Sequence, residues 1–164
     1  MLVVRQKRLS LKKGLIGVIS DTHGLVRPEA LHALRGVELI VHGGDIGKPD
    51  VLAALNSIAP VHAIRGNNDT GRWAKKLPDI LKLHINDTKL CVIHNHKELT
   101  IDPCAAGFHA VISGHSHKPS IDNKDIVLLL NPGSAGPRRF KLPVTVARMS
   151  IGASRIRAEI LSLA

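Results

Sequence analysis

The sequence predicts an α/β fold that turns mostly β toward its end. Three observations carry this. Short β-branched apolar runs alternate with amphipathic segments over the first half. Pro and Gly mark the junctions between them. Later runs follow one another with only short polar turns between them.

The first run, "LIGVIS", reads as a buried strand. "RPEALHALRG" follows as a helix, with Leu31 and Leu34 at helical spacing and Gly36 as its stop. "VELIVHGG" is a second strand. "KPDVLAALNSIAP" is a second helix, with Pro49 in its first turn and Pro60 beyond its end. "VHAIRG" is a third strand. This βαβαβ order implies parallel strands with right-handed crossovers. "ILKLHI" and "KLCVIH" then flank "NDT" as a hairpin. "PCAAGF" is a candidate short helix. "HAVISG", "DIVLLLN", "PVTVARMSI" and "SRIRAEILSL" are further strands, the last two antiparallel and joined near "GAS".

Composition narrows the function classes. A chain of 164 residues with 44% hydrophobic residues suits one globular domain with a real core. Its longest apolar runs are too short to span a bilayer. The apolar part of the start is too short for a signal peptide, so a cytoplasmic protein is expected. Cys91 and Cys104 form no disulfide framework and are expected as free thiols. The 23 Lys and Arg exceed the 13 Asp and Glu by ten. That surplus could draw a polyanion. Yet Trp73, Phe108 and Phe140 are the only aromatics, too few for stacking platforms. A solvated basic surface is the preferred reading. Part of the surplus is local, because Arg5, Lys7, Arg8, Lys12 and Lys13 precede any acid.

Each predicted strand ends in a polar cluster. In order these are "SDTHG" (Asp21, His23), "HGGD" (Asp45), "RGNND" (Asn67, Asn68, Asp69), "IHNH" (His94, His96), "SGHSH" (His115, His117) and "NPGS". Ligands of such sheets bind beyond the carboxyl ends of the strands. Two carboxylates, an amide oxygen and four imidazoles suit divalent ions of intermediate softness, such as Mn, Fe, Ni or Zn.

The ordered set D-x-H, G-G-D, G-N-x-D, H-x-H and G-H-x-H resembles the calcineurin-like metallophosphoesterase superfamily. The G-N-N-D form and short length are similar to its small bacterial and archaeal phosphodiesterases, and to a non-catalytic retromer subunit. The likeness spans about residues 15 to 162. It implies a sandwich of two mixed sheets flanked by helices, an αββα arrangement. It divides the chain into a basic N-terminal extension, 1–14, and a metallophosphoesterase domain, 15–164. It also implies two divalent ions, with manganese the first choice. Asp21, His23, Asp45 and His117 would hold one; Asp45, Asn67, His94 and His115 would hold the other, with Asp45 between them. A water shared by two such ions, roughly 3.5–4 Å apart, loses a proton near neutral pH and attacks phosphorus in line.

Asn68 stands where many relatives carry a histidine that serves the leaving oxygen, and is expected at the substrate. His96 is expected behind the ligands or facing substrate as a catalytic contact, with a merely structural place as the equal alternative, in a loop where Asn95 replaces the family's usual glycine. Arg138 and Arg139 are candidates for a substrate phosphate, with a solvated loop as the competing reading. His42 and Asp69 are candidate supports, and Asn131 and Ser134 shape the rim. His32, His62, His84 and His109 read as structural or surface. The expected function is a phosphodiesterase acting on a small phosphodiester, a nucleotide among the candidates. A binding scaffold and a nuclease are the alternatives, and a homo-oligomer is left open.

Overall fold

The computed structural model describes residues 1–153 and 155–163. Thirteen named elements matter here: β1 (Val4–Leu9), β2 (Leu15–Ile19), α1 (Pro28–Ala33), β3 (Leu39–His42), α2 (Pro49–Asn56), β4 (Val61–Ala63), β5 (Ile80–Ile85), β6 (Thr88–Ile93), β7 (Ala110–Ile112), β8 (Ser120–Lys124), β9 (Val127–Asn131), β10 (Thr145–Ile151) and β11 (Ile156–Ser162). They form two mixed sheets, ordered β1-β5-β6-β7-β9-β8 and β11-β10-β2-β3-β4.

The sheets face each other across one core. Ile16, Val18, Leu39, Val41, Ala147 and Met149 of one sheet meet Leu81, Leu83, Leu90, Val92, Ile112 and Leu130 of the other. Strand alternation sends the intervening residues outward. On β3, Ile40 leaves this core and joins Ala30 of α1, Leu34 just after that helix, and Val51 and Leu55 of α2. Both faces of β2 and β3 are therefore buried, which is why they read as unbroken apolar runs. Gly17 of β2 leaves room here, since a Cβ would lie 2.8 Å from the end of the Leu34 side chain and oblige it to shift.

The expected βαβαβ order holds: β2, β3 and β4 are parallel neighbours. Each helix starts with Pro at its first position, where no intrahelical N–H is lost. The β5–β6 hairpin turns at Asn86 and Asp87, between partners Ile85 and Thr88. β10 and β11 pair antiparallel from Thr145↔Ser162 to Ile151↔Ile156. Gly152 and Ala153 lie in their connection; Ser154 is outside the described residues.

Three features differ from the sequence reading. The basic extension contains β1, which lies parallel to β5 at the edge of its sheet. β8 is likewise a strand that no apolar pattern announces. The helix expected at "PCAAGF" is instead a set of turns. Asp102 Oδ1 accepts from the Cys104 N–H at 3.0 Å, and Gly107 at φ 84° turns the chain out of the helical path. The segment lays Phe108 and Cys104 over Cys91, Ile93, Val111 and Val127 on the outer sheet face.

Candidate metal centre

The polar clusters meet because the strands bearing them run the same way within each sheet. The loops after β2 and β3 continue side by side: the Asp21, His23 and Gly24 N–H groups donate to the Gly44, Asp45 and Ile46 carbonyls at 3.0, 3.0 and 2.8 Å. In the other sheet the Gly114 N–H donates to the His94 carbonyl at 2.9 Å. The Ser134 hydroxyl reaches the Asp21 carbonyl at 3.0 Å.

Asp21 lies at the middle. It is fully buried. Its Oδ2 accepts from the Ser20 hydroxyl (2.7 Å) and the His115 N–H (3.1 Å). Its Oδ1 is buried without a hydrogen-bond partner. Facing that oxygen are Nε2 of His117 at 3.4 Å, His94 at 3.9 Å and His23 at 4.0 Å. Nε2 of His23 and His117 are 3.3 Å apart.

Asp45 approaches from the other loop. Its Oδ1 accepts from the Asn68 N–H at 2.9 Å, and its Oδ2 from the Asn68 amide at 3.1 Å. The same Oδ2 lies 3.2 Å from His94 Nε2 and 3.9 Å from His23 Nε2. The His94 contact lacks hydrogen-bond alignment, leaving Nε2 buried and unpartnered. His94 Nδ1 donates to the Gly43 carbonyl at 2.7 Å, so Nε2 carries the free lone pair. His115 sets its ring edge-on to His94, with centroids 5.2 Å apart. It shares one hollow with His94 and Asn67.

This donor set fits divalent metal. Asp21, His23 and His117 offer donors within 4.8 Å of one another, and so do Asp21, Asp45 and His94. The unpartnered Asp21 Oδ1 and His94 Nε2 would each be costly in a dry core. Burial pushes the Asp21 carboxyl above its ordinary value, against the Ser20 hydroxyl and the nearby imidazoles. A dication against Oδ1 reverses that sign. Burial also opposes the charge of Asp45, but His94 and the Asn68 N–H outweigh it and hold the carboxyl at about 2. For His94 the burial effect is outweighed by Asp45 and the Gly43 carbonyl, which raise it. Burial lowers His117.

The backbone is bent to build this centre. Asp21, His23, Asp45, His115 and His117 all have φ between 46° and 73°. Among the described residues only three other non-glycine positions do so. Each such residue costs on the order of 1–3 kcal/mol, a pattern typical of functional sites. Gly66 is required for closeness rather than for φ: a Cβ there would collide with the backbone N and Oδ1 of Asp45.

A family model described as the calcineurin-like phosphoesterase superfamily domain matches residues 15–154. The chain belongs to this superfamily. A relative from Methanothermobacter thermautotrophicus, named a probable metallophosphoesterase, is 36% identical over 159 residues, covering 90% of this chain and 91% of its own. The solved structure of an archaeal phosphodiesterase superposes with TM-score 0.74 at 26% identity, covering 90% of this chain and 99% of that one. A zinc complex of Vps29 from Entamoeba histolytica superposes with TM-score 0.68 at 18% identity, over 92% and 99% of the chains, a likeness of fold. Members of this phosphoesterase superfamily bind divalent metals, and this one has Asp and His groups able to do so.

Other predicted residues fall in different places. Asn68 touches Asp45 rather than projecting free. His96 is exposed and lines a separate hollow with Ser113, Ser116 and Asn131. Arg138 is exposed, while its neighbour Arg139 is near enough for its charge to lower His117. Asp69 is buried and accepts from the Ile46, Gly47 and Gly66 N–H groups at 3.1, 3.0 and 2.9 Å, tying the Asp45 loop to the Asn67 loop. His42 accepts the Gly44 N–H on Nδ1 at 3.1 Å and meets Thr22 Oγ1 through Nε2 at 3.0 Å. The Thr22 hydroxyl donates to the Ile46 carbonyl at 2.9 Å, so His42 carries its proton on Nε2. Ser20 and Thr22 were not singled out by sequence. They stand within "SDTHG", where hydroxyls are ordinary turn residues and carry no separate signal.

Proposed function

We propose that this phosphoesterase is a dimetal phosphodiesterase. One observation carries the reading: a fully buried carboxylate oxygen, Asp21 Oδ1, has no hydrogen-bond partner and faces three imidazole nitrogens at 3.4 to 4.0 Å. Asp21, His23, Asp45 and His117 would hold one divalent ion, and Asp45, Asn67, His94 and His115 the other. The position of Asp45 Oδ2, within 4 Å of both His23 and His94, supports its sharing between them. The mixed oxygen and imidazole donors can accommodate Mn, Fe, Ni or Zn, and manganese is the ion proposed here. When bound, a pair of divalent ions supplies an activated water and neutralises charge building on phosphate oxygens.

The chain's own part is to hold donors still and to choose the substrate. The Asn68 N–H and amide fix both Asp45 oxygens, and Asp69 fixes the loop beneath them. Asn68 can donate a hydrogen bond but cannot transfer a proton near neutral pH. Esters with good leaving groups should therefore react best. Arg138 and His96 are the proposed contacts to the outer parts of a small phosphodiester, a nucleotide among the candidates. A binding scaffold of the same fold is the alternative reading; it would hold metal without chelator-sensitive hydrolysis. The free thiols of Cys91 and Cys104 agree with a cytoplasmic setting.

The test is a screen of aryl phosphodiesters, nucleotide phosphodiesters and alkyl phosphomonoesters, with and without chelator. Chelator-sensitive hydrolysis, strongest on aryl diesters, is expected. Hydrolysis confined to monoesters would overturn the substrate class.

A further inference from the structure

The hollow beside the metal centre has a wall that the family match leaves out. It encloses about 150 Å³. Asn67, His94 and His115 line it together with the aliphatic side chains of Leu2, Ile80 and Ile93. Leu2 lies before the matched residues 15–154. Its segment is firmly held. The Val3 N–H donates to Asp79 Oδ2 at 2.8 Å, and the Asp79 and Ile80 N–H groups donate to the Val3 carbonyl at 2.8 and 3.1 Å. From Val4↔Ile80 onward β1 continues in register along β5. Asp79 also accepts from Arg65 Nη2 at 2.9 and 3.0 Å. Arg65 leads directly into Gly66 and Asn67. One carboxylate thus fixes the Leu2 segment against the loop that carries a predicted ligand.

We infer that this hollow is a subsite for a neutral, single-ring ester group of the substrate, and that Leu2 sets the preference for it. The inference rests on the phosphodiesterase reading. The volume is about that of a cavity able to hold one benzene ring. Its lining includes three aliphatic side chains, Leu2, Ile80 and Ile93. Its charged groups argue against a second phosphate: Arg65 is engaged by Asp79 and by the Ala74 carbonyl at 3.3 Å, and Glu98 at the rim repels anions. Leu2 is 59% exposed, so a ring laid on it removes apolar surface from water. The hollow adjoins Asn67, His94 and His115, whereas Asn68 sits on Asp45. The group taken up is therefore the ester that stays on phosphorus, with the leaving group toward Asn68.

The experiment uses the manganese-loaded full chain. It compares kcat/KM for phenyl p-nitrophenyl phosphate and methyl p-nitrophenyl phosphate, which share a leaving group. Calorimetry compares the binding of phenyl phosphate and methyl phosphate. Wild type should favour phenyl in both. Leu2→Ser should lower the phenyl-to-methyl ratio about threefold to tenfold. Val4→Ser, on β1 but off the hollow and 47% exposed, should leave it unchanged. An unchanged ratio in Leu2→Ser, or no phenyl preference in wild type, overturns the subsite. If no diester is hydrolysed the proposed function falls, and the binding ratio alone decides. A phenyl preference weakened by Leu2→Ser then upholds the subsite, and its absence removes it.

Discussion

Asp45 has both oxygens committed and still faces two imidazoles, His23 and His94. Removing its charge should disturb donors on both sides. Asp45→Asn should therefore lower bound metal and rate by more than the roughly 10–100-fold usual for an outer contact. His96→Ala, on the exposed turn away from Asp21 and Asp45, should stay within that range. Rates and metal content of the two variants, measured together, check this; an Asp45→Asn enzyme as fast as wild type would refute the shared role. Asn68 yields a second prediction. General acid help is typically worth about 10²–10⁴-fold, and an asparagine offers none. Asn68→His should raise activity on poor leaving groups relative to aryl esters, at some loss of the 3.1 Å bond to Asp45. The ratio of the two rates at equal metal occupancy is the readout, and an unchanged ratio removes Asn68 as the limit. The expected ligands were legible at this scale because Asp and His interrupt apolar runs. Their φ values and the unpartnered Asp21 Oδ1 were not, since both arise only when distant loops meet.

The strand-end loops are held by buried polar groups, and this makes stability depend on pH. Burial holds His42 at about 3, below its ordinary 6.5. Between those values the unfolded chain binds the proton and the folded chain does not. The contribution of neutral His42 is full above about 6.5 and is lost as pH falls toward 3. Protonation would also cost the Gly44 N–H its acceptor. Urea unfolding of chelated protein should show stability falling from pH 7 to pH 5. His42→Asn, which keeps an oxygen for Gly44, should be less stable at pH 7 but flatter across that range. An equal slope in both proteins would assign the acid sensitivity elsewhere. β1 makes a separate prediction. Five of its six residues are exposed, so backbone bonds to β5 are most of what it contributes. A chain lacking residues 1–9 should lose about 1–3 kcal/mol of stability, read from its urea midpoint, yet bind as much metal. Loss of metal would show that β1 supports the centre itself. This strand was invisible in the sequence because "VRQKRL" has no buried face to produce a pattern. β8, "SIDNK", was missed for the same reason. At "PCAAGF" local helix preference was legible, but the turn at Gly107 prevailed.

At the scale of the molecule, the centre lies where the ends of two sheets meet across one core. Neither sheet alone carries a complete donor set: Asp21, His23, Asp45 and Asn67 follow strands of one, while His94, His115 and His117 follow strands of the other. The sandwich could be inferred from sequence only through the family resemblance. The alternation of apolar runs gives strands and helices but not which sheet each strand joins. Metal bound across both sheets should stabilise the fold as a whole, by about 2.7 kcal/mol for a site at 100 times its Kd. Chelator should accordingly lower the melting temperature, and manganese restore it. Two ions are proposed to act together at this junction. The direct measurement is a manganese titration of chelator-stripped protein, following bound metal per chain and aryl phosphodiester hydrolysis in the same samples. Two ions bound per chain are expected, with hydrolysis rising as the second site fills. Full hydrolysis by protein holding no metal, or saturation of activity at one ion per chain, would contradict that joint action.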